Sequence, residues 1–576
     1  MTQVYSCEAL IKRGDSQFAK SSNFFNLCQA IAEVFYPERA DFVSQGVEGV
    51  ERYQNIFAGE PILLRQRLGS GVGVLMRRSD QKWFNGTALP RAVGEIDSVK
   101  RWCEEFTEVQ RDEVYAPLAM FDRAMREGDD DYVSFGEHIL WHGWGKNGER
   151  GRLLFQTKHL RDCAYFENEF GVVDEMHEKI GDKTIEQWKR LMDKVGGTLP
   201  EAWQKKLREN PAACATDRVE VRRVVLPAER YYESGKIKGK AKDMAFACIY
   251  IAGAEKHEMH CDGFRIFPFL VRRWSSVSGE VRGRSPCTGV AMADSRILNV
   301  AQRALLESLE KAIDPPILIP HDGVIGDVEI FAGGRIMYDV ERGPKASDMI
   351  DTLRPGDVRV GLEFTERRRM FLAEALYANL LKRLPDKEMT AFEASQWLDD
   401  YVTMAAPVLN PMQADNAVLM EAVFQRLLHA GRFPEPPEEV LGAEVTFEFE
   451  TPVAQAMRRQ KAQKAAEVVQ FVGGMAVISP QAAAQVAENI DLDKLGRDGV
   501  EGIAGGIDWL LPDAVVAENR EAAQQEQMAK AAAAMVLQQQ ELEAGTKKSG
   551  ELEGAAQTLG APTAKTAPQE LLNAGA

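Results

Sequence analysis

The proline pair Pro315-Pro316 constrains this chain more than any other feature, because two consecutive residues without a backbone N–H cannot be carried inside a helix. The pair closes a segment of helical periodicity at 294–313. There Ile297, Leu298, Ala301, Leu305, Leu309 and Ala312 share one face, and Arg296, Asn299, Arg303, Glu307 and Glu310 occupy the others. Beyond the prolines the character changes. The stretch 317–338 is β-rich and is punctuated by His321-Asp322-Gly323 and by Gly333-Gly334. A second helix is predicted over 357–381, with Val360, Phe364, Phe371 and Ala375 along it, and the turn Leu384-Pro385-Asp386-Lys387 follows. The pattern is two helices bracketing a short β-rich insertion.

The flanks are mixed. Upstream, 23–42 reads as a helix and turn broken at Pro37, and 98–125 as a long helix that Pro117 kinks or splits. A further amphipathic helix is predicted at 185–195, a turn and strand at 170–174, and strands at 219–226 and 244–251. Downstream, Thr390-Ala-Phe-Glu393 is a capping box that starts a third helix, which Pro407 and Pro411 are expected to break or kink. Helix resumes over 412–430 and stops at Gly431, and 445–449 alternates as a strand. Thr451-Pro452 and Ser479-Pro480 each read as an N-cap followed by proline at the first helical position. From about residue 519 the chain is rich in Ala, Gln and Glu and helical by propensity. After Gly545 it reads as a disordered tail.

The formal charge is −17, whereas a static nucleic-acid binder gains its affinity by neutralising phosphates with basic side chains. The balance therefore argues against tight DNA binding. It is compatible with DNA sliding past an acidic wall. No apolar run reaches the length needed to span a bilayer, no secretory signal is recognisable, and the eight scattered cysteines read as reduced thiols.

Fragments that suggest enzymes are incomplete. Gly69-Ser-Gly-Val-Gly73 lacks the Lys-Ser/Thr of a phosphate loop and reads as a turn or a close backbone approach. His257, His260 and Cys261 lie close together without a second cluster to complete a zinc site. His138 and His142 flank Trp141 and read as an aromatic patch, with a ligand pair on a helix as the alternative. Glu127-Gly-Asp-Asp-Asp131 reads as a solvated loop at a helix end. Ser275, Ser276 and Ser278 lack the Gly-x-Ser-x-Gly frame of a nucleophile elbow. No catalytic, cofactor-binding or metal-ligating set is predicted. Glu366-Arg367-Arg368-Arg369 is a mixed-charge run within a helix, suited to a solvated face or to a neighbouring subunit or DNA. Lys382, Arg383 and Lys387 flank the Pro385 turn.

The stretch Phe267-Pro-Phe-Leu-Val-Arg-Arg-Trp-Ser-Ser-Val-Ser-Gly-Glu-Val-Arg-Gly-Arg-Ser-Pro286 resembles the signature segment of the head-to-tail connecting (portal) proteins of short-tailed bacteriophages. The likeness continues in order through Asp294-Ser-Arg-Ile-Leu-Asn299 and Lys311-Ala-Ile-Asp-Pro-Pro-Ile-Leu-Ile-Pro-His-Asp-Gly323. Upstream it includes Tyr36-Pro-Glu-Arg39, the segment 71–84 and Glu167-Asn-Glu-Phe-Gly171. Downstream it includes Thr451-Pro-Val-Ala-Gln-Ala-Met-Arg458, and it extends to about Met528. Arg282 stands where such proteins usually carry an aromatic residue, and Ser285 where glycine is common, so the local turn is expected to differ.

The resemblance implies an α+β, ring-forming portal fold. Residues 1–290 would be an α/β wing, 291–314 and 349–381 two stem helices, 315–348 a β-rich clip and 382–389 a tunnel loop. Helices at 390–450 would return to the wing, 451–545 would form a helical crown or barrel, and 546–576 a disordered tail. It further implies a homo-oligomeric ring, a dodecamer, at one capsid vertex. The ring would nucleate assembly with the major capsid and scaffolding proteins. It would dock the terminase large subunit, then tail adaptor proteins, and pass double-stranded DNA without a cofactor, in a virion assembled in the host cytoplasm. Lys382, Arg383 and Lys387 become DNA-contact candidates. Ile317, Ile319, His321, Asp322, Ile330 and Phe331 become partner-docking candidates, and Glu366, Arg367, Arg368 and Arg369 inter-subunit candidates. The alternatives are a metal-dependent nuclease or hydrolase using His257, His260 and acidic neighbours, and a virion adaptor that is not a portal.

Overall fold

The computed structural model describes residues 5–43, 49–77, 82–94, 96–145, 151–231, 244–313, 317–318, 351–352, 358–378, 391–440, 442–449, 465–474, 490–491, 494–497, 499–500, 510–511, 515–533 and 535. They fall into two units, Met1–Met457 and Arg458–Ala576. The second is helical at 465–474 and 515–533.

The chain begins with helices α1 (Cys7–Lys20), α2 (Ser22–Phe35) and α3 (Glu60–Met76), strand β1 (Phe84–Leu89) and the short helix α4 (Arg91–Gly94). The predicted long helix is split as Pro117 requires. It becomes α5 (Asp97–Val114), a 3-10 turn Pro117–Ala119, and α6 (Phe121–Phe135). Next come β2 (Glu137–Gly145), β3 (Arg152–Lys158), β4 (Cys163–Glu167) and β5 (Val173–Ile180). Helices α7 (Ile185–Val195), α8 (Glu201–Glu209) and α9 (Pro211–Thr216) precede β6 (Val221–Pro227), β7 (Phe246–Ala252), β8 (His257–Phe264) and β9 (Phe269–Arg273). Helix α7 starts at a capping box in which Thr184 and Gln187 satisfy each other's backbone N–H.

Strands β4 to β8 pair in sequence order as a five-stranded antiparallel sheet. Alternation decides its two faces. Val224, Leu226, Ala247, Ile249 and Ile251 pack against Cys7, Leu10 and Ile11 of α1. Tyr165, Met176, Val225 and Cys248 face the largest core, with Cys28, Ile31 and Phe35 of α2. Helices α7 to α9 pack around Trp188 and Trp203 against Val221, Ala252 and Met259.

A second sheet has the order β3-β2-β9. Its central strand, β2, is buried on both faces. Ile139 and Trp141 enter the largest core, and Leu140 enters a second core with Leu153, Phe155 and Leu270. This explains why no alternating pattern marked β2 in the sequence.

The remaining elements are α10 (Val290–Ile313), β10 (Ile317–Leu318), β11 (Asp351–Thr352), α11 (Val358–Ala375), α12 (Ala391–His429) and β12 (Glu444–Phe449). Helix α11 ends at Ala375, earlier than the expected 381. Tyr377 adopts a positive φ of 53° there and packs on Trp274, 5.9 Å between ring centroids. Helix α12 runs through Pro407 and Pro411, against the expected break. The two prolines are four apart, so their missing hydrogen bonds fall on one face and the others keep their ladder. The far end of this unit returns to its start, where β12 pairs antiparallel with β1 and Phe447 lies opposite Gly86.

The second core closes around Phe106, whose ring contacts Trp102, Phe424, Phe433 and Phe447. A Cβ at Gly86 would lie 2.1 Å from the Phe106 ring. Hemmed in on four sides, the ring has nowhere to move. Gly86→Ala is expected to destabilise the protein by about 1–3 kcal/mol through overpacking. The check is thermal unfolding followed by tryptophan fluorescence.

Candidate functional site

Helices α10 and α11 pack side by side and run antiparallel. Arg368 near the end of α11 meets Asp294 near the start of α10 at 2.8 Å, and Gly361 early in α11 lies against Leu305. Between the helices, Ile317 and Leu318 pair antiparallel with Thr352 and Asp351, so the inserted segment leaves and returns as a two-stranded stalk. This is the helix–insertion–helix unit that Pro315-Pro316 predicted.

The base of the helix pair is tied into the main body by charge. Arg369 binds Glu60 of α3 at 2.7 Å and Glu366 within its own helix. Asn299 of α10 accepts hydrogen bonds from the backbone N–H of Phe57 and Ala58, and donates to the carbonyl of Asn55. Of the four charged candidates on α11, Arg368 and Arg369 are thus engaged within the chain, and Glu366 and Arg367 are exposed. Their helix also exposes Val360, Leu362, Phe364, Met370 and Phe371.

The signature segment is the joint from which α10 departs. Its strand β9 supplies Arg272 and Arg273, and its loop supplies Arg282 and Arg284. Arg273 pairs with Glu167, and Arg284 with Glu280 at 2.6 Å. Arg282 donates to the fully buried Glu137 at 2.9 Å, to Ser21 Oγ and to the carbonyl of Cys163. Its guanidinium sits 4.6 Å from the Tyr165 ring and 5.0 Å from that of Phe24. An arginine stacked among rings thus fills the place where an aromatic was expected. Glu137 also accepts from the Tyr165 hydroxyl at 2.8 Å and from the backbone N–H of Gly283 at 2.6 Å. Ser285 donates to the carbonyl of Val133 at 3.0 Å and accepts from the N–H of Cys287.

Behind this joint lies a cluster that the sequence reading misplaced. Asp129, Asp130 and Asp131 are not in a solvated loop. They lie on α6, and each meets an arginine from a different element. Asp129 binds Arg77 and, at 3.5 Å, Arg272. Asp130 binds Arg65 at 2.7 Å, and Asp131 binds Arg39 at 3.0 Å. The Arg272 side chain is 0 % exposed and that of Arg77 4 %. Gly69 and Gly73 explain the approach of the partner helix. They belong to α3, not to a turn, and a Cβ at either would lie 2.8–2.9 Å from Asp130 or Asp129. A small-residue pair four apart on one helix, with an acidic triplet elsewhere, was the available signal.

Other candidates separate. His138 and His142 lie on strand β2, not on a helix. Both are buried and held well below the ordinary histidine pKa by that burial, helped at His138 by Arg272 and at His142 by Arg426. His257 shares a hydrogen bond with Thr198 at 3.0 Å, and Cys261 faces the α1 core. Among the described residues no three His, Cys, Asp or Glu side chains converge as a metal site. Ile319, His321, Asp322, Ile330, Phe331, Lys382, Arg383 and Lys387 lie outside the described residues.

The sequence matches the model of the bacteriophage head to tail connecting proteins over residues 9–503. It is 24 % identical over 515 residues to a probable portal protein of Bordetella phage BPP-1, covering 85 % of this chain and 84 % of that protein. It is 25 % identical over 304 residues to the portal protein of Salmonella phage epsilon15, covering 52 % of each.

Two outcomes follow from the buried charges. Asp129→Asn strands Arg77 and Arg272 without their shared counter-charge and is expected to cost about 3–5 kcal/mol in denaturant unfolding. Removing the exposed partner Glu307 of Arg303 is expected to leave the midpoint unchanged. The second outcome concerns Asp415, 3.9 Å from Arg272. Burial pushes its pKa up to about 6, against the pull of Arg272 and Arg273. The folded carboxyl therefore binds a proton more readily than the unfolded one, so its contribution to stability grows as pH falls from 7 to 5. Asp415→Asn is expected to remove that gain, read as the difference in Tm between the two pH values.

Proposed function

The chain belongs to the bacteriophage head to tail connecting protein family, and from that premise we infer that it is a portal subunit, one of the copies that close into a ring at a single capsid vertex. The observation that carries this reading is the family match across residues 9–503. The antiparallel α10–α11 pair with its inserted stalk supports it. In the proposed arrangement these helices are the stem around a channel, 315–348 is the clip, and the body before α10 is the wing. Residues 382–389 form a tunnel loop and 451–545 a helical crown. A dodecamer of this kind uses a heterologous interface, in which each subunit offers two different faces.

The mechanism is electrostatic and steric. With −17 per chain the assembly repels phosphate on average, so DNA finds no deep binding wells along the wall. A few cations at a constriction supply weak, repeated contacts, and Lys382, Arg383 and Lys387 are the proposed set. The clip, with Ile317, Ile319, His321, Asp322, Ile330 and Phe331, is the proposed dock for terminase during packaging and for tail adaptors afterwards. Major capsid and scaffolding proteins meet the ring during assembly. The role is structural, with the motor's nucleotide chemistry on the terminase.

Charge reversal tests the conduit. Replacing Lys382, Arg383 and Lys387 together with Glu is expected to leave capsid assembly intact and to reduce packaged, retained DNA at least tenfold, measured as genome content of purified particles. Unchanged genome content would overturn the assignment.

A further inference from the structure

The hairpin tip joining β4 to β5 is fixed in one shape. Asn168 Oδ1 accepts from the backbone N–H groups of Phe170 and Val172, both at 3.0 Å. The Asn168 N–H donates to the carbonyl of Val172, the Gly171 N–H to that of Asn168, and Gly171 takes the positive φ of 76° that closes the turn. Yet this tip presents Phe170 at 82 % exposure and Val172 at 60 %, with the exposed carboxylate of Glu169 beside them. A hydrogen-bonded turn that holds an aromatic ring and a valine together out in water leaves both available to a partner at little ordering cost.

A cleft elsewhere on the same unit has the complementary character. It has a volume of about 800 Å³ and is bounded by α2, the segment before α3, and α10. Val34, Val50, Ile56 and Val300 supply apolar wall, and Arg52 and Arg296 supply positive charge. Glu33 also lines it and accepts a hydrogen bond from Gln29. Two buried polar atoms on this wall, Arg52 Nη1 and Ser295 Oγ, have no hydrogen-bond partner among the described residues. The cleft and the hairpin tip share no residue.

We propose that the hairpin tip of one subunit seats in the cleft of its neighbour, with Phe170 among Val34, Val50, Ile56 and Val300 and Glu169 facing Arg52 and Arg296. The occupant is a second copy of this chain. A protruding apolar residue with an adjacent anion meets a recessed apolar wall with adjacent cations, and two unlike faces are what a heterologous ring contact joins. The inference rests on the ring reading above and adds which surfaces meet.

The test uses the full chain carrying both Phe170→Cys and Val300→Cys, treated with a short bismaleimide and run on a denaturing gel. The eight native cysteines are all buried, so background labelling of the folded chain is low. The expected result is a ladder of covalent multimers that neither single variant gives. A companion variant, Phe170→Asp, is expected to keep the circular dichroism of the wild type and to lower the fraction in rings at least tenfold at equal concentration, read by mass photometry. Wild-type rings without a ladder, or Phe170→Asp rings as abundant as wild type, overturn this contact and leave the ring reading standing. A wild-type chain that stays monomeric overturns both.

Discussion

The described architecture depends on three consecutive carboxylates on α6. Asp129, Asp130 and Asp131 hold four arginines drawn from the turn after α2, from α3, from the residue that follows α3, and from β9. Buried charges are costly to desolvate, and such a cluster persists only when every member is paired in good geometry. It therefore fixes relative positions more than it adds net stability. Asp129 takes two arginines and Asp130 and Asp131 one each, and Gly69 and Gly73 leave α3 room to approach α6 that closely.

From this cluster the order passes outward through one segment. Arg272 joins the cluster to β9, and Arg282, Gly283 and Ser285 tie the following loop to Glu137 and Val133. The chain then enters α10 at a defined point and angle. Arg368–Asp294 and Arg369–Glu60 repeat the device one level further out, fixing α11 to α10 and to α3. A chain of ion pairs, buried at Asp129 and partly exposed at Arg368–Asp294 and Arg369–Glu60, thus gives a directional joint between the body and the α10–α11 pair.

Much of this was legible in the sequence where local chemistry decides structure. Proline placement marked the end of α10 and the split between α5 and α6, and the amphipathic pattern marked α7 at Ile185–Val195. What stayed hidden depended on distant partners. β2 is buried on both faces and so shows no alternation, and its two histidines read as an aromatic patch with no strand assigned to them. The acidic triplet looked solvated because its arginines lie at 39, 65, 77 and 272 in the chain. The glycines of α3 read as a turn or a close backbone approach, and of the two it is the close approach, to α6, that the structure shows. Two prolines did not break α12, whose packing against the second core outweighs two lost hydrogen bonds. Function was legible mainly through the order of resembling segments, since the residues proposed to touch DNA belong to no local chemical motif.

The central claim is that this chain closes into a ring with a passage along its axis. Electron-microscopic imaging of the purified full-length protein tests it most directly. The account predicts closed rings of uniform size with a central channel. A population that remains monomeric, or forms compact particles without a channel, at concentrations that saturate self-association would contradict it.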